Sequence, residues 1–123
     1  MTKRILNLTN HVMTGAQLDE LFSPKWGYTE VVELDPEDKA LWSTMDPSNY
    51  KEVSDMILAK YEYDGVHLAG FPVMLPYVVS KYGKSVELLY AYSGRNSVEE
   101  HMPDGSVVKK NIFVHKGFFR YTD

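Results

Sequence analysis

Near its start the chain reads Ile5-Leu6-Asn7-Leu8-Thr9-Asn10-His11, an apolar run that ends in a polar tip. The run is typical of a buried central strand, and the helix-capping sequence Thr14-Gly15-Ala16-Gln17 follows it closely. Three more apolar runs occupy residues 31–34, 66–69 and 86–90, and apolar residues at helical spacing separate them. This order predicts parallel strands that alternate with helices.

The rest of the chain completes this prediction. The pairs Asp35-Pro36 and Asp46-Pro47 predict helix starts, because a capping carboxylate precedes a proline at the first helical position. The turn sequence Pro103-Asp104-Gly105 joins extended segments and predicts a hairpin. At 123 residues the chain has material for one core. We therefore expect a single domain, residues 1–123, with a doubly wound, Rossmann-like α/β fold and a C-terminal antiparallel β-hairpin.

Composition excludes several classes of protein. The chain has no cysteine, which rules out disulfides and thiolate metal sites and favours a reducing cytoplasm. Its formal net charge of −4 argues against a protein that coats duplex DNA, and no apolar run approaches the ~20 residues of a membrane span. Metal-binding His-x-x-His spacing, Gly-x-Gly-x-x-Gly and P-loop sequences are missing. We expect no metal, no cofactor and no membrane or duplex DNA partner.

The candidate site lies in polar or glycine-bearing tips that follow three predicted strands. These tips are Thr9-Asn10-His11, Gly70-Phe71-Pro72 and Ser93-Gly94-Arg95-Asn96, the last placed after a strand over residues 85–92. In an open parallel sheet such tips gather along one edge, where backbone N–H groups and helix N-termini face a ligand. We therefore expect one cleft that binds an anion.

The first two tips each have two interpretations. His11 suits an anion contact or an acid–base role, since histidine titrates near neutrality, or Asn10 and His11 turn the chain and bond locally. Gly70 lets the backbone approach a ligand. Phe71 offers a platform for a base, or it extends the apolar face of the next helix.

The third tip and the terminal strand supply the remaining candidates. Arg95 offers a forked donor for phosphate, with Ser93, Gly94 and Asn96 beside it, or it lies in solvent in an ordinary polar turn. The five-residue spacing puts His115 and Arg120 on opposite faces of a strand unless Gly117 introduces a bulge. We expect one of these two residues to reach the site. Alternatively, both belong to a basic edge of the sheet that is exposed to solvent.

Several stretches together resemble a CRISPR-associated family of CARF-type Rossmann fold, the stand-alone ring nucleases and related cyclic oligoadenylate binders. The likeness spans nearly the whole chain. It is carried by residues 6–11 with Thr14 and Gln17, by Leu41-Trp42-Ser43 before Asp46-Pro47, by His67-Leu68-Ala69-Gly70, by Tyr90-Ala91-Tyr92-Ser93-Gly94-Arg95, and by residues 104–115 with Phe119-Arg120-Tyr121.

The resemblance implies a homodimer that holds cyclic tetra-adenylate across its two-fold axis. Such proteins cut the ring without metal, by attack of a ribose 2′-OH on its neighbouring phosphate, and so end type III CRISPR antiviral signalling. By resemblance Arg95 and Ser93 would contact phosphate, His11 would assist proton transfer and Gly70 would admit the ligand. Phe71-Pro72, where a polar residue would follow Gly70, departs from the pattern.

Two other functions stay open. A protein of the same fold can bind the cyclic oligoadenylate as a sponge or sensor without cutting it, because both activities use the same pocket. A protein-interaction subunit is the third possibility, with the tyrosines and the terminal hairpin meeting a partner chain.

Overall fold

A five-stranded sheet forms the centre of the computed structural model, which describes residues 1–122. The strands stand in the order β2-β1-β3-β4-β5, parallel as far as β4, with β5 antiparallel to β4. The elements are β1 (Arg4–Leu8), α1 (Gly15–Leu21), β2 (Glu30–Glu33), α2 (Pro36–Ser43), α3 (Tyr50–Lys60), β3 (Gly65–Leu68), α4 (Met74–Tyr82), β4 (Glu87–His101) and β5 (Val107–Arg120). This confirms a mixed α/β fold with a mostly parallel sheet and a C-terminal antiparallel pair.

Helices cover both faces of the sheet. On one face Leu21 of α1 packs with Ile5 of β1 and with Phe118 of β5. On the other face α2, α3 and α4 bury the larger core, in which Leu6 and Leu8 of β1 meet side chains from all three helices. The alternation of Ile5 and Leu6 to opposite faces explains why β1 reads as a continuous apolar run, since a central strand is buried on both sides.

Most of the predicted helix starts are confirmed. The Thr14 hydroxyl accepts from the N–H of Gln17, whose side-chain oxygen accepts from the N–H of Thr14, so α1 begins with a capping box. α2 begins at Pro36 as Asp35-Pro36 predicts. The prediction from Asp46-Pro47 is wrong by one turn. The Asp46 carboxylate accepts from the N–H and hydroxyl of Ser48, which forms a turn before α3 begins at Tyr50.

β4 is longer than predicted. We expected a strand that ends at residue 92 and a tip at 93–96, but β4 continues to His101. Residues 93–96 pair with residues 112–115 of β5, so the antiparallel ladder keeps them extended. The pairing shifts after Tyr92, which leaves Lys116 without an opposite residue in a β-bulge. We call residues 93–116, the part of the hairpin beyond this bulge, the arm.

The helices of residues 1–122 are all too short, or too polar, to cross a membrane.

Candidate functional site

A cleft of about 690 Å³ opens beyond the carboxyl ends of β1 and β3. Thr9 and His11 line it from the loop after β1, Ala69 from the end of β3, and Tyr90 and Ser93 from β4. Its volume lies within the range of small-molecule sites, about 300–1,000 Å³. Three chain segments that are distant in sequence thus meet at the sheet edge where parallel strands commonly bind ligands.

The loop after β1 is held in place by the side chain of Asn7. Its Nδ2 donates to the carbonyl of His11 at 2.8 Å and to the Glu33 carboxylate of β2 at 3.1 Å. The Thr9 hydroxyl lies 2.9 Å from Asn7 Oδ1 and accepts from the N–H of His11 at 3.1 Å. These bonds fix the backbone of His11 while its side chain stays exposed at the cleft. A preorganised loop of this kind can present a side chain to a ligand with little loss of conformational entropy.

Aromatic rings form one wall of the cleft. Tyr90 and Tyr121 both line it, with ring centroids 5.0 Å apart, and the Tyr121 hydroxyl donates to the carbonyl of Leu68. Phe113 of the arm lines the cleft as well, and the Arg95 guanidinium lies 5.0 Å above its ring. Rings of this kind can stack a nucleobase, and an arginine beside them can pair with a phosphate.

His67 lies at the inner end of the cleft in an uncharged state. It is buried on β3, its ring packs edge-on against Phe118 at 5.1 Å, and its Nδ1 has no hydrogen-bond partner in the described part of the chain. Burial lowers the pKa of His67 to about 4, and the nearby His115 and His11 add to the effect. At neutral pH His67 is therefore a neutral hydrogen-bonding group and not a cation.

Glu20 of α1 ties the root of the arm to the rest of the domain. Its carboxylate accepts from the Trp26 indole at 2.7 Å, from the N–H of Phe118 at 2.8 Å and from His115 Nε2 at 2.8 Å. Because a carboxylate only accepts, His115 donates through Nε2. Burial alone would raise the pKa of Glu20, but the bonds from Phe118, Trp26 and His115 together lower it. Glu20 therefore fixes where β5 leaves the sheet.

Three predicted residues lie near the cleft but do not line it. Asn10 accepts from the Ser43 hydroxyl at 2.8 Å, which joins the β1 loop to α2. A Cβ at Gly70 would lie 3.0 Å from the Trp42 indole nitrogen, so this glycine serves close packing. Phe71 packs against the larger core and the ring of Tyr50, which agrees with its structural interpretation. Their neighbours Thr9, His11 and Ala69 are the residues that line the cleft.

The residues predicted from the third tip and the last strand separate into two groups. Ser93 lines the cleft and Arg95 stacks on a ring that does, whereas Gly94 faces the other way under the side chain of Lys116. Asn96 follows on the arm on the same face as Gly94. His115 is held by Glu20 behind the cleft.

Arg120 lies away from the cleft. The bulge at Lys116 brings it to the same face as His115, so the predicted condition for a shared face is met, although the bulged residue is Lys116 and not Gly117. Arg120 nevertheless pairs with Glu87 at 3.0 Å and lies over the Trp26 ring, near the start of β4.

Within the described residues, no carboxylate lines the cleft, although the chain is acidic. None of the residues that line it, all within 1–122, is Asp or Glu, whereas the chain has 17 such residues. The polar groups that line it are hydroxyls, an amide and histidines, with Arg95 at its edge. The described residues also include no cluster of three or more His, Asp or Glu side chains arranged for a metal ion. Such a surface can accept a phosphate without repulsion by nearby carboxylates.

Several residues that shape this site carry no clear signal in the sequence. Asn7 and Glu20 act through bonds to distant segments, and nothing in their local sequence indicates those partners. In the sequence, Tyr121 and Phe113 have the pattern of core or edge residues of a terminal strand. One signal was present for His67, since a lone histidine within a buried apolar strand is an unusual choice that suggests a specific role.

Comparison with known proteins identifies the family but no relative of known structure. The family model described as "Uncharacterized protein MJ1673 family" matches residues 3–119, and the chain therefore belongs to that family. No curated protein and no solved structure matches the chain.

Proposed function

We propose that this member of the MJ1673 family binds a cyclic oligoadenylate, with cyclic tetra-adenylate as the first candidate, in the cleft beyond β1 and β3. The observation that carries the proposal is the combination in one cleft of Thr9, His11 and Ser93 with the rings of Tyr90 and Phe113. Hydroxyls and a histidine suit phosphates, whereas the rings suit bases. The sheet order fits a Rossmann-like fold of CARF type, which the sequence resemblance also implies.

The arrangement of the polar groups suggests how the ligand would lie. Ser93 and Arg95 stand on the same face of β4, two residues apart, so a phosphate at Ser93 is within reach of the guanidinium. A base next to that phosphate would meet the ring of Phe113 or Tyr90. His67 would meet the ligand as a neutral group, which suits a base edge or a sugar hydroxyl better than a phosphate.

The same groups support cleavage of the ring. A ribose 2′-OH would attack the adjacent phosphorus and break the bond to the 5′-oxygen, which leaves a 2′,3′-cyclic phosphate and a free 5′-hydroxyl. The proton lost by the 2′-OH and the proton gained by the 5′-oxygen balance, so no water is consumed. His11 is the candidate for proton transfer and Arg95 for stabilising charge on the phosphate, while the cleft would align the attacking and leaving oxygens.

A second function of the same site is binding without cleavage. The exposed side chain of His11 has no hydrogen-bond partner among residues 1–122 that would orient its ring, which favours a sponge or sensor over an efficient acid–base catalyst. In both versions the protein acts in type III CRISPR signalling, as a homodimer in the cytoplasm. A chain without cysteine fits that reducing compartment.

The test is incubation of the purified protein with labelled cyclic tetra-adenylate and a chelator, followed by separation of ring and linear products. Linear product with a 2′,3′-cyclic phosphate end supports the nuclease, and retention of intact ring on the protein supports the binder. If the ring is neither bound nor cut, the nucleotide proposal fails.

Matched variants make the test specific to the cleft. His11→Ala should remove cleavage and keep binding, because the backbone of this loop is held by Asn7 and not by the histidine ring. His101→Ala, a histidine on the exposed arm, is the control and should cut as the unchanged protein does.

A further inference from the structure

The ring of His115 is held by a carboxylate through one nitrogen and is free at the other. Its Nε2 donates to Glu20 at 2.8 Å, and the same carboxylate accepts from the Trp26 indole at 2.7 Å and from the N–H of Phe118 at 2.8 Å. Three donors keep the carboxylate in place, so the orientation of the His115 ring is fixed. With the proton on Nε2, the other nitrogen, Nδ1, carries a lone pair and accepts.

Nδ1 of His115 is buried and has no hydrogen-bond partner in the described part of the chain. An unpaired buried acceptor costs free energy, so such an atom usually has a partner or a function. Neither His115 nor Glu20 has a part in the ring cleavage described above. A histidine that a carboxylate orients through one nitrogen can take up a proton at the other. Glu20 and His115 therefore have the arrangement of a general base.

Ser93 connects this pair with the cleft. It lies directly opposite His115 in the antiparallel ladder of β4 and β5, and it lines the cleft. Side chains that face each other across a ladder have Cβ atoms about 4.5–5.5 Å apart, which lets a serine hydroxyl reach Nδ1 in one of its staggered rotamers. The Ser93 oxygen would then present a lone pair to a ligand in the cleft.

We propose that Glu20, His115 and Ser93 form a proton relay for cleavage of the nucleotide ring, an inference that rests on the proposed function. The Ser93 hydroxyl donates to His115 Nδ1 and accepts from the attacking ribose 2′-OH. As the 2′-oxygen bonds to phosphorus, its proton passes to Ser93 and the Ser93 proton passes to His115, where the Glu20 carboxylate stabilises the imidazolium. The site thus contains an oriented base, which the exposed ring of His11 does not supply.

The relay divides the two proton transfers between two histidines. His11 lines the cleft from the loop after β1, and β3 lies between β1 and β4, so about 10 Å separates these two strands. A phosphate with its attacking and leaving oxygens fits between side chains on such strands. His11 as an imidazolium would give its proton to the 5′-oxygen as the bond from phosphorus breaks. One histidine gains a proton and the other loses one, and exchange with solvent restores both.

Nitrogen NMR of labelled histidine rings tests the relay without nucleotide, so its result does not depend on the proposed function. At neutral pH His115 should carry its proton on Nε2, with an unprotonated Nδ1 that accepts a hydrogen bond. Ser93→Ala should shift the Nδ1 resonance, because it removes the donor. Ser97→Ala is the control, since Ser97 lies on the same face of β4 and donates to Asn111. A proton on Nδ1, or an unchanged resonance in Ser93→Ala, would overturn the proposal.

Cleavage kinetics with cyclic tetra-adenylate test the catalytic part. His115→Gln can still donate to Glu20 but cannot take up a proton, so the cleavage rate should fall by a factor of about 10²–10⁴ while the dissociation constant stays within about twofold. Ser93→Ala should cause a similar loss of rate, and the double variant should lose little more, since the two residues act as one unit. His101→Gln, the same substitution on the exposed arm, should cut at the unchanged rate.

The outcomes separate failure of the relay from failure of the proposed function. If the unchanged protein cuts the ring and His115→Gln cuts it as fast, the relay is wrong and the nuclease proposal stands. Losses that multiply in the double variant would also overturn the relay, because they would show that Ser93 and His115 act independently. If the unchanged protein does not cut the ring, both proposals fail, and the spectra without nucleotide show whether Ser93 donates to His115.

Discussion

Stability against pH offers a quantitative test of the buried histidine at the cleft. In the folded protein burial lowers the pKa of His67 from 6.5 to about 4. Below pH 6.5 the unfolded chain takes up a proton at this residue that the folded chain does not take up until about pH 4. The free energy of unfolding therefore falls as the pH falls through this window. For these two values the loss between about pH 7 and about pH 5 is about 2 kcal/mol.

The assay is urea unfolding followed by tryptophan fluorescence at a series of pH values between these limits. This pH window lies above the range in which the stabilising carboxylates titrate. Hydrogen bonds lower the pKa of Asp38, and the pKa values of Glu20 and Asp55 are also lowered, although burial alone would raise them. Their contributions are lost as the pH falls from the ordinary pKa values of 4.5 for Glu20 and 3.8 for Asp38 and Asp55 to their lower folded pKa values, a range that lies below this window.

His67→Gln is the variant that isolates the effect. It should remove the pH-dependent loss of about 2 kcal/mol, whatever its stability at pH 7. His101→Gln is the control for replacing an exposed histidine and should keep the pH dependence of the unchanged protein. If His67→Gln and the unchanged protein lose the same free energy over the window, His67 is charged in the fold and the reasoning is refuted.

Three other substitutions test the cleft and the fold. Arg95→Ala should weaken binding of cyclic tetra-adenylate by about 1–3 kcal/mol in calorimetric titration. Arg120 lies outside the cleft, so Arg120→Ala should leave the binding free energy unchanged. Equal losses of binding free energy in the two variants would show that Arg95 is not part of the site. Gly65→Ala should lower the free energy of unfolding by about 1–3 kcal/mol, because the new Cβ would lie 1.8 Å from the hydroxyl of buried Tyr28. An unchanged midpoint of urea unfolding would contradict that packing. Glu20→Gln should cost about 1–3 kcal/mol in the same assay, since it removes the charge from an acceptor of three hydrogen bonds, and a neutral result would show that the arm root is held by packing alone.

Periodicity and capping were sufficient to predict the order of strands and helices as far as the start of β4. The apolar run at Ile5–Leu8 and the capping box at Thr14 are local signals, and each element forms where its own sequence favours it. The meeting of Thr9 and His11 with Ala69 in one cleft also follows from the sequence, because parallel strands share a carboxyl edge, whereas Ser93 reaches the cleft from within β4.

The continuation of β4 through residues 93–96 could not be predicted from local sequence. Residues 93–96, Ser-Gly-Arg-Asn, have the composition of a turn, yet pairing with β5 keeps them in a strand. Strand pairing is a tertiary interaction that overrides such local preferences. For the same reason the bond between Glu20 and His115, 95 residues apart, has no signal in either segment.

The most direct test of the nucleotide cleft is a map of backbone amide shifts by NMR on addition of cyclic tetra-adenylate. The largest shifts should fall at Thr9, His11, Ala69 and Ser93, which belong to separate segments and meet only in the cleft. Residues at the start of β4 beside Arg120 should not move. Shifts confined to any other surface, or no shifts at saturating ligand, would contradict the proposed binding site.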